Sequence, residues 1–237
     1  MSKHGKRYLT AASEIGEGLF TPGEAASLAK KVATAKFDEA VELHISTSAD
    51  PRHADQQIRE VAELPHGTGK SVRVLVFAED DAAASASAAG ADFIADDEII
   101  KRIEGGWADF DIAIATTDQM PKLGRLGRYL GRRGLMPNPR TGTVVAVDAI
   151  ADAVNSAKKG RSEVRMDKQA IIHTRIGVAS FTEQQIVDNM MSVYATVLRA
   201  KPEGVKGSLV KSATLTTSMG PGIKLDLNAL EAAAKAL

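Results

Sequence analysis

The stretch PHGTGKSVRVLVF, residues 65–77, marks a change of structural class along the chain. Before it, Val41, Leu43 and Ile45 alternate with polar residues, which is the period of a strand buried on one face. After its two glycines, residues 74–77 are all apolar, as in strands buried on both faces of a parallel sheet. The stretch therefore predicts that a second kind of domain begins here.

Strand and helix patterns alternate from this point to residue 158. They predict strands at 72–77, 91–94, 110–115 and 143–147, and helices at 82–89, 97–104, 118–131 and 148–158. Such alternation is typical of a parallel or mostly parallel sheet with helices on its faces. A second glycine-bearing junction, Lys158-Lys159-Gly160, ends the block.

The flanking segments follow a different pattern. They predict a capped helix from Thr21 to about residue 35, a strand at 41–45, a hairpin of 163–166 with 171–176, a helix at 181–199, a strand at 208–217 and a tail helix at 226–237. The predicted fold class is α/β, with a discontinuous α+β domain from both termini and an inserted Rossmann-like three-layer α/β domain. We predict residues 1–67 and 160–237 for the first domain and 68–159 for the second, with a two-strand hinge between them.

Composition excludes several classes of protein. The 237-residue chain contains no cysteine, which rules out disulfides, thiolate metal sites and a cysteine nucleophile. Its basic start, MSKHGKRYLT, has no apolar core, and no apolar run approaches the roughly 20 residues needed to span a bilayer. The sequence predicts a protein that is neither secreted nor embedded in a membrane.

The formal net charge of zero conceals local basic regions. No acidic residue occurs between Asp118 and Asp148, and a second basic tract runs from Arg199 to Lys224. The first interval contains the basic residues Lys122, Arg125, Arg128, Arg132, Arg133 and Arg140. Each tract is either a solvated face or a surface that attracts polyanions within a Debye length of roughly 8 Å at physiological salt.

The chain lacks complete sequence motifs of nucleotide-binding or metal-dependent enzymes. HGTGKS, residues 66–71, ends like a phosphate-binding P-loop, but the motif requires glycine where the chain has Leu64 and a helix where it predicts a strand. No glycine-rich turn follows the strand at 72–77, as a dinucleotide site would require. Histidine spacing indicates no transition-metal site, and His173 in a strand is more often structural than catalytic. We therefore predict no cofactor and no enzymatic activity, and keep a nucleotide-binding α/β enzyme as the alternative.

The segment GRRGLMPNPRTGTVV, residues 131–145, contains Pro137 and Pro139, which no helix can cross. We interpret these prolines as stiffening a turn between helix and strand, so that the neighbouring arginines present positive charge at nearly fixed positions, which suits phosphate oxygens and equally suits a surface loop. The glycines nearby fall on one helical stripe, at Gly124, Gly127, Gly131 and Gly134. The favoured interpretation is that the stripe lets the helix lie close on the sheet; the other is that it admits a phosphate backbone.

Two segments have the composition of an RNA-binding surface. Lys36 and Phe37 place a base and an aromatic ring just before a strand, and TTSMG, residues 216–220, offers hydroxyls, an apolar side chain and bare backbone. Hydroxyls and peptide N–H groups can bond ribose and phosphate, while Phe37 and Met219 can pack on sugars or bases. A phenylalanine after a helix is also common in cores.

Several motifs occur in the order in which one known family has them. They are ATAKFDE (33–39), LPHGTGK (64–70), AGAD (89–92), GLMPNP with GTV (134–144), MDK (166–168), KPE (201–203) and TTSMGP (216–221). Together, and over nearly the whole chain, they resemble the family of the bacterial large-subunit ribosomal protein "L one", the stalk protein.

The resemblance implies a non-enzymatic, cytoplasmic, ribosome-bound protein. Its discontinuous domain would bind the rRNA of the large-subunit stalk, and its inserted domain would lie towards deacylated tRNA leaving the exit site. The rRNA-binding residues that the resemblance implies are Lys36, Phe37, Glu42, Asp167, Lys168, His173, Thr217, Ser218, Met219 and Gly220. The basic residues from Lys122 to Arg140 are possible contacts to the backbone of tRNA or rRNA.

Family members also commonly repress translation of their own messenger RNA by binding a stalk-like hairpin, so the messenger of its own operon is an implied partner. A free-standing regulator that binds only messenger RNA is a further hypothesis. Four residues depart from the family pattern: Glu60 stands for glycine, Arg132 for proline, Met166 for asparagine and Ser218 for threonine. Glu60 would add negative charge near the RNA face, while Arg132 adds to the basic tract.

Overall fold

The computed structural model describes residues 4–234, apart from the side chain of Arg140. These residues divide into two compact units, one running up to Gly69 and resuming at Ser162, the other comprising Lys70–Arg161. We call them the discontinuous unit and the inserted unit. The predicted domain boundaries lie two residues earlier at each junction. That each unit is a separate domain stays a prediction. No helix in residues 4–234 is both long enough and apolar enough to cross a membrane.

Helices and short strands account for most of the chain. The α-helices are α1 (Lys6–Ile15), α2 (Pro22–Val32), α3 (Asp80–Ala88), α4 (Asp97–Glu104), α5 (Met120–Leu123), α6 (Gly127–Leu130), α7 (Ile150–Lys159), α8 (Glu183–Arg199) and α9 (Leu227–Ala234). The strands are β1 (Ala40–Thr47), β2 (Arg59–Glu63), β3 (Val74–Phe77), β4 (Phe93–Ile94), β5 (Ile112–Thr116), β6 (Val144–Val145), β7 (Arg161–Arg165), β8 (Ile171–Val178), β9 (Val210–Thr217) and β10 (Ile223–Lys224). Turns of 3-10 helix occur at Ala54–Gln56, Thr117–Gln119, Gly124–Leu126, Gly131–Arg133, Pro139–Thr141 and Val147–Ala149.

The discontinuous unit is built on an antiparallel sheet with the strand order β10-β9-β1-β8. Residues of β1 alternate between half-exposed and buried, as the sequence period predicts. On the buried face, Leu43, Ile45 and Ile176 share one core with Met190 and Tyr194 of α8. The half-exposed residues form the opposite face, which we call the open sheet face.

Strand pairing differs from the predicted hairpin. β7 pairs with β2 in a separate two-stranded sheet, whereas β8 pairs with β1. A single bridge, Met166 to Ile172, connects the two segments that were expected to pair. The hairpin prediction is therefore wrong, because residues 59–63 supply the partner strand for β7.

The inserted unit contains a parallel sheet with the order β4-β3-β5-β6. Helices α3 and α7 pack on one face, against Val74, Val76 and Ile114. Helix α4 and the segment after β5 pack on the other face, against Leu75 and Phe77. The two helical layers around one sheet confirm the predicted three-layer α/β architecture.

Residues 117–133 do not form the single helix that was predicted. They form α5 and α6 separated by 3-10 turns, consistent with the weak helix propensity of glycine. The side chains that pack on the sheet are those of Leu123, Leu126 and Leu130. A Cβ atom added to Gly124, Gly127 or Gly131 would meet nothing within 4 Å. The prediction that the glycine stripe packs on the sheet is wrong, since the leucines pack there and the glycines face open space.

Candidate RNA interface

Two loops of the discontinuous unit lie side by side at the start of β1. Residues 33–39 join α2 to β1, and residues 218–222 join β9 to β10. The N–H of Ser218 donates to the carbonyl of Ala40 at 3.0 Å, and the N–H of Ala40 donates to Oγ of Ser218 at 3.0 Å. This reciprocal pair fixes the second loop against the first residue of β1.

A buried carboxylate, Glu39, joins the two loops directly. Glu39 is 1% exposed; its Oε1 accepts from the N–H of Ala35 and its Oε2 from the N–H of Met219, each at 2.9 Å. Burial opposes ionisation, but the hydrogen bonds from Ala35 and Met219 contribute to a pKa of Glu39 below its usual value. The sequence analysis missed Glu39 because the Met219 partner is 180 residues away in the chain and no local pattern indicates it.

The loops that Glu39 joins present large apolar side chains to solvent. Phe37 is 56% exposed and Met219 is 53% exposed, and Lys36 beside Phe37 is exposed as well. A Cβ on Gly220 would collide with Oγ1 of Thr217, so the tight turn requires glycine. Thr217 itself is 2% exposed, and its carbonyl accepts from the N–H of Gly220 at 3.1 Å, so its side chain lies beneath the turn and not at the surface.

A line of two carboxylates and two imidazoles crosses the open sheet face. Nδ1 of His44 lies 2.8 Å from Nδ1 of His173, which is opposite it on β8. Nε2 of His44 lies 3.7 Å from Oε2 of Glu42, and Nε2 of His173 lies 3.5 Å from Oδ2 of Asp167. The line joins three of the predicted residues through His44, which the sequence analysis did not single out.

The geometry limits how many protons the line holds. A hydrogen bond between the two Nδ1 atoms needs a donor on one ring only, so two fully protonated rings would oppose N–H to N–H. Burial, followed by the charge of His173, lowers the pKa of His44, while Glu42 opposes that shift. Protonation at the centre of the face is therefore restricted.

Asp167 organises the turn at the other end of β1. Its Oδ1 accepts from the N–H groups of Ile171 and Gln169, each at 2.8 Å, and these bonds, that of Ile171 first, lower the pKa of Asp167. Lys168 is exposed on this turn. The N–H of Thr47, the last residue of β1, donates to the carbonyl of Ala170 at 2.9 Å. The predicted residues thus occupy both ends of β1 and the open sheet face between them, a length of roughly 25 Å for a strand of eight residues.

The departures from the family pattern fall in different places. Ser218 uses its oxygen to accept from the N–H of Ala40. Met166 is 8% exposed, and its sulfur accepts from the hydroxyl of Thr47 at 3.4 Å. Glu60 is exposed on β2, in the two-stranded sheet and not on the four-stranded one. Its charge therefore does not belong to the line on the open sheet face.

The basic residues of the inserted unit differ in availability. The ammonium group of Lys122 bonds the carboxylate of Glu79, and this contact lowers the pKa of Glu79, so the charge of Lys122 is already compensated. Arg125, Arg132 and Arg133 are exposed, and within the described residues no carboxylate lies within 4.0 Å of their guanidinium groups. The guanidinium of Arg128 lies 5.3 Å from the centre of the Tyr129 ring and donates to its hydroxyl at 3.2 Å, whereas the side chain of Arg140 lies outside the described residues.

The proline-containing segment forms the expected turn before β6. Pro137 is buried, and the N–H of Asn138 donates to Oγ1 of Thr143 at 2.7 Å. The P-loop-like segment is followed by a strand, and the ammonium group of Lys70 bonds Oδ1 of Asp111 at 2.6 Å. Lys70 is thus paired with an acid of its own unit. The prolines lie in the turn where they were expected, and their stiffening role stays a prediction.

Comparison with known proteins identifies the relatives of this chain. A protein called large ribosomal subunit protein uL1 from Dehalococcoides mccartyi strain CBDB1 is 51% identical over 233 residues, 98% of each chain. Proteins with the same name from Chloroflexus aggregans and Thermobifida fusca are each 50% identical, over 98% and 99% of both chains respectively. The family model described as Ribosomal protein L1p/L10e family matches residues 29–221. By these matches the chain belongs to the Ribosomal protein L1p/L10e family, which is a family of ribosomal proteins and not of enzymes.

Proposed function

We propose that the chain is a structural constituent of the large ribosomal subunit and binds the rRNA of the mobile stalk. One observation carries this proposal: Phe37 and Met219 are held at the surface by a single buried carboxylate, at the end of a polar sheet face. Folding normally buries such side chains, so their exposure on a fixed backbone favours a binding role. The name shared by the relatives supports the large subunit as the place of binding.

The residues of the interface suit folded RNA better than a simple polyanion. Lys36 and Lys168 can neutralise phosphates at opposite ends of β1, and the apolar side chains can pack on sugars or unstacked bases. Glu42 and Asp167 would repel phosphate, but they can accept hydrogen bonds from ribose 2′-hydroxyls and base amino groups. The carbonyl of Thr217 accepts from the N–H of Gly220 and so closes the turn, while Ser218 can offer its hydroxyl and Gly220 its carbonyl.

Equilibrium binding of the full chain to an RNA fragment of the large-subunit stalk tests the proposal. Met219→Asp places a charge in the apolar contact and should weaken binding at least tenfold, and Phe37→Ala should weaken it by a smaller factor. Val147→Asp, at an apolar side chain 42% exposed in the inserted unit, is the matched control and should bind as the unchanged protein does. Unaltered circular dichroism would show that each variant is folded. Equal affinities for all variants would contradict the assignment of this interface.

For the inserted unit, we propose a position towards deacylated tRNA at the exit site, where it assists movement and release of that tRNA. The exposed arginines Arg125, Arg132 and Arg133 have no acidic partner among the described residues and can contact a phosphate backbone. Ribosomes carrying the triple alanine variant should release exit-site tRNA at an altered rate. Lys101→Ala with Lys159→Ala, which removes two exposed charges elsewhere in the unit, should leave the rate unchanged.

We further propose that the same interface binds a stalk-like hairpin in the chain's own messenger RNA and so represses its translation. A messenger hairpin should then compete with stalk RNA for the protein, and Met219→Asp should weaken both. If the two RNAs compete but Met219→Asp weakens the binding of stalk RNA alone, the messenger hairpin binds at another surface. Co-sedimentation with large subunits distinguishes a ribosome constituent from a regulator that binds only messenger RNA.

A further inference from the structure

A cleft of about 610 Å³ lies within the inserted unit, between the end of α4 and the basic segment that contains α6. Its floor includes Ile103 and Leu130, each 1% exposed. The residues lining it also include two aromatic side chains and three arginines, Trp107, Tyr129, Arg128, Arg132 and Arg133. Its volume falls in the range of small-ligand pockets, roughly 300–1,000 Å³.

Both aromatic rings of the cleft are held in place by neighbours. The guanidinium of Arg102 lies 4.5 Å from the centre of the Trp107 ring, and Trp107 packs against Phe93 and Phe110 with ring centres 5.2 and 5.6 Å away. The guanidinium of Arg128 lies 5.3 Å from the centre of the Tyr129 ring. Both rings nevertheless remain partly exposed. Partly exposed planar groups that are already fixed can stack a planar ligand at little entropic cost.

The charge around the cleft is positive. Arg132 and Arg133 are exposed, and no described carboxylate lies within 4.0 Å of either. The one acid bonded to a lining residue, within the part of the chain that the structure describes, is Asp109, whose carboxylate accepts from Nε1 of Trp107 at 3.0 Å. Aromatic stacking surfaces beside arginines are the combination that binds unpaired nucleic acid, because bases stack on the rings while phosphates pair with the cations.

We infer that this cleft binds a nucleotide of unpaired RNA, with the base against Trp107 and Tyr129 and phosphate on Arg132 and Arg133. An acidic peptide would satisfy the arginines but would leave the rings without a planar partner, so the geometry favours RNA. The inference rests on the proposed function insofar as the chain acts on RNA. It gives the RNA contact proposed for the inserted unit a defined base-stacking site, with which it shares Arg132 and Arg133, and it shares no residue with the interface of the discontinuous unit.

The chain's single tryptophan, Trp107, reports directly on this cleft. Titration of the full chain with a single-stranded adenosine hexanucleotide should quench its fluorescence in a saturable way. Tyr129→Ala should weaken this binding about tenfold, the scale expected when one base no longer stacks, while Tyr129→Phe keeps the ring and should retain it. Arg132→Ala with Arg133→Ala should also weaken it about tenfold, and Lys101→Ala with Lys159→Ala is the charge-matched control.

Several outcomes would overturn the inference: absence of quenching, equal binding by Tyr129→Ala and the arginine variant, or equal quenching by polyglutamate. If Tyr129→Ala fails to fold, the variant with Arg132→Ala and Arg133→Ala tests the cleft instead, because it changes exposed residues only. Binding of stalk RNA, measured on the same preparations, should be unchanged in every cleft variant. If the unchanged protein does not bind stalk RNA, that result counts against the proposed function alone. If the cleft variants bind the hexanucleotide as tightly as the unchanged protein does, that result counts against the cleft alone.

Discussion

The two units place their polar groups differently. Among the described residues, the buried polar or charged side chains of the discontinuous unit are Glu39, Thr47, Thr174, Asn189, Thr196 and Thr217, whereas the inserted unit has Thr116. The inserted unit instead exposes arginines over an apolar core. A surface shaped by internal hydrogen bonds has a defined geometry, while a surface of unpaired charge attracts without defining a shape. From this comparison we expect selective recognition by the interface of the discontinuous unit and charge-dependent contact by the exposed arginines of the inserted unit.

The largest effect should come from the buried amide of Asn189, which is 0% exposed. Its Nδ2 donates to the carbonyls of Ile176 at 2.7 Å and Gly67 at 2.9 Å, and its Oδ1 accepts from the N–H of His66 at 3.1 Å. Asn189→Ala leaves these buried groups without partners and should lower the free energy of unfolding by roughly 2–4 kcal/mol. Chemical denaturation measures this, and Asn155→Ala, at an exposed position of the inserted unit, is the control. A decrease no larger than that of the control would contradict the role of buried polar groups.

A smaller effect on stability, with a specific effect on binding, is expected for Glu39→Gln. The amide keeps the size of the side chain, but its NH2 group would face one of the two backbone N–H donors. We expect the free energy of unfolding to fall by about 1–3 kcal/mol. Because Glu39 joins the loops carrying Phe37 and Met219, stalk-RNA affinity should fall by about tenfold. Glu63→Gln, an exposed change in the same unit, should alter neither quantity. Normal affinity in a destabilised but folded Glu39→Gln protein would show that the loops hold their geometry without this carboxylate.

Salt dependence separates the two surfaces. For stalk RNA, replacing Lys36 and Lys168 with alanine should reduce the slope of log K against log salt by roughly 0.7–0.9 for each phosphate that the protein no longer neutralises. Removing Arg125, Arg132 and Arg133 should leave that slope unchanged, because those residues belong to the inserted unit. A reversed pattern, in which the arginines set the slope for stalk RNA, would exchange the roles assigned to the units.

The smallest effect should appear in the pH dependence of stability. The pKa of His44 is lowered in the folded chain, mainly by burial, below the 6.5 of an unperturbed histidine. Below about pH 6.5, His44 is therefore protonated more readily in the unfolded chain than in the folded chain. The free energy of unfolding accordingly falls as pH falls through that value. Denaturation at pH 7.5 and 5.5 should show a weaker fall in His44→Gln than in the unchanged protein. An identical fall in both would show that His44 does not contribute to the pH dependence.

Local chemistry explains which features the sequence could predict. The start of α2 was predictable because Thr21 and Glu24 form a capping box within three residues, and β1 because its burial alternates. Partners distant in sequence were not predictable: β7 pairs with β2, and Glu39 bonds the N–H of Met219. The same limit applies to the site, since the sequence pointed to Phe37 and Met219 but not to the carboxylate that joins their loops.

The central claim is that the loop pair and open sheet face of the discontinuous unit bind stalk rRNA. Hydroxyl-radical footprinting of the full chain on large-subunit rRNA tests it most directly. We expect protection confined to the stalk, abolished in Met219→Asp and retained in Val147→Asp. Protection outside the stalk, or a stalk footprint that persists in Met219→Asp at the same protein concentration, would contradict the claim.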